Sequence, residues 1–160
     1  YMDDITIRPA TSADVMTIGA LWERLASHHQ ILDPRLPKPA NGGDELYAHR
    51  IGSQLDDAYH RILVAEYNGE LVGYVLGMIA DYMPDIFIAE SIGFLADIFV
   101  NEAHRGVGIG KKLVSELQAW FKSRGIVTME WSVAAHNTSA KAFWEHIGGK
   151  DLIIWMRLDL

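Results

Sequence analysis

"HRGVGIGKKLV", residues 104–114, sets three glycines within five positions and runs straight on into a lysine-bearing amphipathic segment. Glycine costs a helix about 1 kcal/mol relative to alanine, so three at the start of one give the backbone itself a task. The preceding "FLADIFVN" (residues 94–101) is almost continuously apolar and reads as a strand central in a sheet. Following the glycines, Ile109, Leu113, Val114, Leu117 and Phe121 recur on one helical face as far as Arg124-Gly125, where glycine suits the position just past a helix end. The first turn of a helix carries N–H groups without internal partners, and the aligned peptide dipoles add partial positive charge there. Such a terminus accepts phosphate. Gly106, Gly108 and Gly110 present no β-carbon to hold a phosphate off, and Lys111 and Lys112 add positive charge at that end.

Two common phosphate motifs do not fit. A P-loop needs G-x-x-x-x-G-K-[ST], and Lys112 stands where a hydroxyl residue would follow Lys111. A dinucleotide fingerprint needs G-x-G-x-x-G, and no third glycine falls at the right place from either Gly106 or Gly108. The spacing that fits is R-x-x-G-x-G, as Arg105, Gly108 and Gly110.

Upstream, "ITIRPA" (5–10) alternates as a first strand, and "TSAD" (11–14) is a capping box ahead of Val15, Ile18, Leu21, Trp22 and Leu25 at helical spacing. "ILDPRLPKPANGGD" (31–44) holds three of the five prolines and reads as a loop, with a second helix expected over about Glu45–Ala58. "RILVAEYNGELVGYVLGMIA" (61–80) is a hairpin turning at Asn68-Gly69. Downstream, "VTMEWSVAA" (127–135) reads as a strand, "NTSAKAFWEHIGG" (137–149) as a short helix and "LIIWMRLDL" (152–160) as a final apolar strand.

At 160 residues the chain is expected to form one domain over 1–160, large enough to bury a core without staples. It has no cysteine, which excludes disulfides, thiolate metal sites and a cysteine acyl-enzyme, and which agrees with the expected cytoplasmic location. No apolar run reaches the roughly 18 residues of a membrane span. The net charge of −7 argues against a general nucleic-acid binder. Residues 1–100 carry −9 and residues 101–160 carry +2. Either the acidic loops are simply solvated, or the second half receives an anion while the first faces a cation. The seven histidines include no H-x-x-x-H pair, and His28 and His29 point about 100° apart on a helix, so no metal site is expected.

The chain resembles the GCN5-related N-acetyltransferase (GNAT) superfamily. "LADIFVNEAHRGVGIGKKLV" (95–114) looks like its acetyl-CoA signature, and "NTSAKAFWEHIGG" resembles its N-x-x-A-x-x-x-[YF]-x-x-x-G segment at Asn137, Ala140 and Gly148. The order of elements agrees over essentially the whole chain. The resemblance implies an α/β (α+β) single-domain fold: a mixed, mostly antiparallel sheet of about six to seven strands flanked by about four helices. It also implies that backbone amides from Arg105 through Gly106, Val107, Gly108, Ile109 and Gly110 to Lys111 bind the pyrophosphate of acetyl-CoA. Ile98, Phe99 and Val100 then give main-chain hydrogen bonds to the pantetheine arm and the thioester oxygen. In the family this strand often carries a bulge that leaves a wedge for the cofactor.

Asn137 matches a family asparagine near the cofactor, and is equally a helix N-cap. Trp144 stands where the family commonly has tyrosine, and an indole N–H is no useful acid at neutral pH. No tyrosine general acid is assigned; water or Ser139 is left to protonate the leaving thiolate. Gly149 replaces the usual phenylalanine after Gly148.

The implied reaction is direct attack of a primary amine on acetyl-CoA, with a base taking the amine's proton. Asp97 is the preferred base, expected on one strand face with Leu95 and Phe99, and otherwise a brace of the sheet. Glu90 is the second candidate. Tyr82 and Asp85 either line an amine pocket or form a solvated turn. The expected acceptor is a small cationic amine, with a homodimer possible through the apolar final strand and neither nucleic acid nor membrane as partner. Two alternatives remain: an enzyme acting on protein lysines or N-termini, and a module that binds acyl-CoA without turnover.

Overall fold

The computed structural model describes residues 4–160; the first three residues of the expected domain lie outside the described residues. Strand β1 (Ile5–Pro9) leads through a 3-10 turn into helix α1 (Val15–Leu32), and α2 (Gly43–Gln54) follows the proline-rich loop. Strands β2 (His60–Tyr67), β3 (Glu70–Ala80) and β4 (Ile92–Val100) come next, then α3 (Ile109–Ser123), β5 (Met129–Glu130) and α4 (Thr138–His146). The strands lie in the order β1-β2-β3-β4-β5, antiparallel except for the parallel pair β4–β5. Among the described residues no helix is long and apolar enough to cross a membrane.

Local chemistry explains the joints. Thr11 and Asp14 form the expected capping box, with the Thr11 amide donating to Asp14 Oδ2 at 2.8 Å. Arg8 of β1 grips the same carboxylate at 2.7 and 3.0 Å, which holds Asp14 below its usual pKa and ties strand to helix. The β2–β3 turn puts Asn68 at φ +50° and Gly69 at φ +79°, the two left-handed residues that a tight hairpin requires.

Alternation along β2 sorts the core into two layers. Ile62 and Val64 pack under α1 and α2 with Tyr74, Leu76 and Phe99. Leu63 and Ala65 pack on the other face against Leu113, Leu117 and Phe121 of α3 and Trp144 of α4.

Two expectations are corrected. Among the described residues the sheet has five strands rather than six or seven, and "VTMEWSVAA" pairs with β4 only at Met129 and Glu130. The final apolar strand is not part of the sheet: residues 151–160 have no regular structure and all are exposed. Their alternation is strand-like, but no strand of this chain lies alongside to pair with them.

Candidate active site

The β4 strand positions everything. Its pairing with β3 slips between Leu76 and Gly77: Leu76 faces Asp97 and Gly77 faces Leu95, so Ala96 is a bulge. A one-residue bulge reverses which face later side chains take. Asp97 and Phe99 therefore share a face, as expected, which lies under α1 and α2, whereas Leu95 points under α3, contrary to its expected place beside them. On the other side, β5 runs with β4 only at Gly93 and Phe94. From Leu95 onward the two strands are no longer paired. The bulge and the end of the pairing lie where the resemblance implied a wedge for the cofactor.

The glycine turn lies at the far end of β4. Gly106 takes φ +78° and Gly108, the N-cap of α3, takes φ +90°, conformations that favour glycine. A β-carbon on Gly106 would meet nothing within 4 Å, so open space faces the backbone there. Between the glycines, Ile109 is buried in the α3-side core and Val107 packs against it. Apolar side chains thus anchor the turn from behind and leave its peptide groups forward. This arrangement fits a diphosphate. Gly110 has Phe143 and Val100 beside it at ordinary contact distance.

Arg105 folds back, its Nε donating to the Val100 carbonyl at 2.7 Å, and its guanidinium lies 5.3 Å from the Phe99 ring. Arg24 of α1 lies 5.5 Å from the same ring. Two cations therefore gather where β4 meets the glycine turn. Lys112 is directed elsewhere, its ammonium donating to the Ile5 carbonyl at 3.1 Å, while Lys111 stays exposed.

On the α1–α2 side, Asp97 is largely buried and burial pushes its pKa up. The Tyr47 hydroxyl donates to Asp97 Oδ2 at 2.7 Å and, with His29 and Arg50, partly offsets that rise. Tyr47 stacks on Trp22 at 5.0 Å and meets Tyr74 edge-on at 6.3 Å. Burial also holds its phenol far above the usual value, so it stays protonated and donates. Burial and the neighbouring His28 push His29 below its ordinary pKa.

The remaining named residues are not brought together. Glu90 is exposed in the loop before β4, among Ile79, Ser91 and Arg124 at the end of the strand opposite Val100. Tyr82 and Asp85 are exposed in the same loop. Asn137 caps α4, its Oδ1 accepting from the Ala140 amide and the Ser139 hydroxyl, each at 3.2 Å. Trp144 is buried, packed on Trp131 at 4.6 Å and on Phe143 at 5.0 Å. Gly149 has its reason here: a β-carbon would come within 2.7 Å of Trp131 and 2.9 Å of the Trp144 carbonyl. Sequence reasoning missed Tyr47, His29, Arg24 and Phe143. For Tyr47, His29 and Phe143 the only local signal was a place on an inward helical stripe, which also describes ordinary core; Arg24 is exposed and carried no such signal.

The acetyltransferase (GNAT) family matches residues 25–148, three quarters of the chain and both halves of the wedge. The chain belongs to that family. Among curated proteins, this GNAT chain is 25% identical over 114 residues to an L-ornithine N5-acetyltransferase of Arabidopsis thaliana, covering 69% of this chain and 48% of that protein. The matched part thus spans about half the length of that relative. Among solved structures, a mutant of the BH1408 protein from Bacillus halodurans superposes with a TM-score of 0.87 at 21% identity, over 97% of this chain and 99% of that one. The aminoglycoside N-acetyltransferase AAC(6')-Iy, solved with CoA, superposes with a TM-score of 0.72 at 19% identity, over 98% of this chain and 95% of that one. At such identities these two establish the shared GNAT fold.

Proposed function

We propose that this chain transfers an acetyl group from acetyl-CoA directly to the primary amine of a small cationic acceptor, with Asp97 receiving the amine's proton. The observation that carries the reading is the Asp97 carboxylate beside the bulge where β4 leaves β5, its Oδ2 accepting from the Tyr47 hydroxyl. Acetyl-CoA supplies a thioester carbonyl and a leaving thiolate whose thiol has a pKa of about 8.5.

An alkylamine of pKa about 10.4 is only about one part in two thousand neutral at pH 7. A cationic acceptor is drawn to ionised Asp97, and the carboxylate then takes a proton to free the nitrogen lone pair. The raised pKa of Asp97 shortens that uphill transfer. Because Tyr47 occupies Oδ2, the other oxygen is left for the amine. Asp97 is preferred to Glu90 because Glu90 sits at the other end of the strand. The leaving thiolate takes its proton from water, since Trp144 is packed in the core and Ser139 spends its hydroxyl on Asn137.

A small acceptor is favoured by the loop after α1. Arg35 bonds Asp33 at 2.7 Å and reaches His136 at 3.3 Å, which ties that loop to the turn before α4. A long peptide groove is poorly served by such a bridge. The ornithine and aminoglycoside acceptors in the names of the two relatives are of the proposed class. A cytoplasmic location agrees with the cysteine-free sequence and with acetyl-CoA as donor.

The test is thiol release from acetyl-CoA across diamines, amino acids, aminoglycosides and lysine peptides. Turnover with small cationic amines supports the reading. Turnover only with peptides selects the protein-modifying alternative, and CoA binding without any turnover selects the binding module.

A further inference from the structure

Two arginines meet on one phenylalanine, and neither has a carboxylate partner. The Arg24 guanidinium of α1 lies 5.5 Å from the centre of the Phe99 ring, and that of Arg105 lies 5.3 Å from it. Arg105 uses its Nε on the Val100 carbonyl. Among the described residues no ion pair includes either arginine. Phe99 is buried whereas both arginines are exposed, so the guanidiniums rather than the ring meet the solvent. A guanidinium held over an aromatic face keeps its edge N–H groups for a planar anion.

The side of the sheet says which anion. Phe99 packs with Tyr74 and Leu76 on the α1–α2 face, the face that also carries Asp97. Val107 and Ile109, which anchor the glycine turn, belong to the other layer. Asp97 and Phe99 are two residues apart on β4, so their side chains stand about 7 Å apart along the strand. One end of this short stretch offers a carboxylate and the other offers two cations. Its complement is an amine and an anionic group joined by a short carbon chain.

We propose that the acceptor is a diamino acid, with its side-chain amine at Asp97 and its carboxylate on the Arg24 guanidinium, Arg105 standing beside it. This rests on the acetyl-transfer reading above and narrows its class of acceptor. Arg24 then sets specificity and takes no part in proton transfer or thiolate departure. A simple diamine brings its second ammonium towards two guanidiniums and is repelled. A carboxylate in the same place neutralises them and accepts parallel N–H bonds from a guanidinium edge.

Two matched series test this on the full chain. L-ornithine is compared with its amide and with putrescine, and L-lysine with its amide and with cadaverine. In at least one series KM for the free amino acid is expected to be at least tenfold below KM for the other two, with similar kcat. Arg24 is exposed, so Arg24→Ala is expected to keep the parent's Tm. That variant is expected to raise KM for the preferred amino acid at least tenfold and to leave KM for its amide and diamine, and the CoA dissociation constant in titration calorimetry, unchanged. Arg24→Lys keeps the charge without the planar fork and is expected to recover part of the preference. Equal KM values throughout both series overturn the proposal. So does an Arg24→Ala variant that raises KM equally for all acceptors, as a purely structural role would. Weakened CoA binding with the preference intact also overturns it, and gives Arg24 to the phosphates of the cosubstrate. Silence with every amine overturns the acetyl-transfer reading and this proposal together, whereas turnover without a carboxylate preference overturns this proposal alone.

Discussion

In the proposed function the two faces of the sheet hold charge by opposite means. On the α3 side an anion is offered peptide N–H groups, with glycines bringing the backbone forward and Val107 and Ile109 anchoring it behind. On the α1–α2 side a cation is offered one side chain, Asp97, whose position depends on a bulge and on a phenol fifty residues away. The first device is local and survives most changes except at its glycines. The second is assembled from three elements and fails if any one of them is altered.

The comparison breaks most visibly at Asp97→Asn. Loss of the proton acceptor is expected to lower kcat by about 10²- to 10⁴-fold, with the dissociation constant for CoA unchanged in titration calorimetry. Burial puts the folded pKa of Asp97 above its ordinary 3.8. Ionising it therefore costs the folded chain more than the unfolded one, and stability falls as pH rises through that window. The same variant is thus expected to keep or raise Tm at pH 7. A fall in both Tm and CoA affinity would make Asp97 a brace.

Gly108→Val attacks the other face. A β-branched residue at φ +90° carries strain of about 1–3 kcal/mol, and its side chain crowds the phosphate mouth. CoA affinity is expected to fall about tenfold or more, with kcat at saturating acetyl-CoA reduced far less than in Asp97→Asn.

Asp14→Ala leaves both faces alone and removes the joint between β1 and α1. Loss of the cap is expected to destabilise by about 1–2 kcal/mol in urea unfolding, with no change in CoA binding. Arg8 holds the folded pKa of Asp14 below 3.8, so this contribution is present above that value and fades as pH falls through the lower folded value. The gap between variant and parent closes accordingly in acid.

Tyr47→Phe is the finest probe. Its hydroxyl lowers the pKa of Asp97, so its loss is expected to move the acid limb of the pH–rate profile to higher pH while activity at pH 8 is largely kept. An unmoved limb would separate Asp97 from the titrating base.

The glycine turn was legible because its causes lie within a few residues: a strand, a glycine at each left-handed position, then a helix with one apolar face. The hairpin at Asn68-Gly69 and the capping box at Thr11 were legible for the same reason. Leu95 was misplaced because a bulge at Ala96 follows from how β4 meets β3, and a run such as "FLADIFV" carries no mark of it. Tyr47 and His29 were missed because they look like core residues until Asp97 is placed among them. The last strand was misread: the alternation of 152–160 suggests one, but the structure gives these residues no regular structure.

Sequence alone determined most of the elements and the glycine turn at the mouth of α3, because periodicity, turn residues and glycine are short-range properties of the chain. Tertiary structure decided which side Asp97 faces, what holds it, and that residues 151–160 stay outside the sheet. Those outcomes depend on pairing register between distant strands, and a slip of one residue there reverses every side chain that follows.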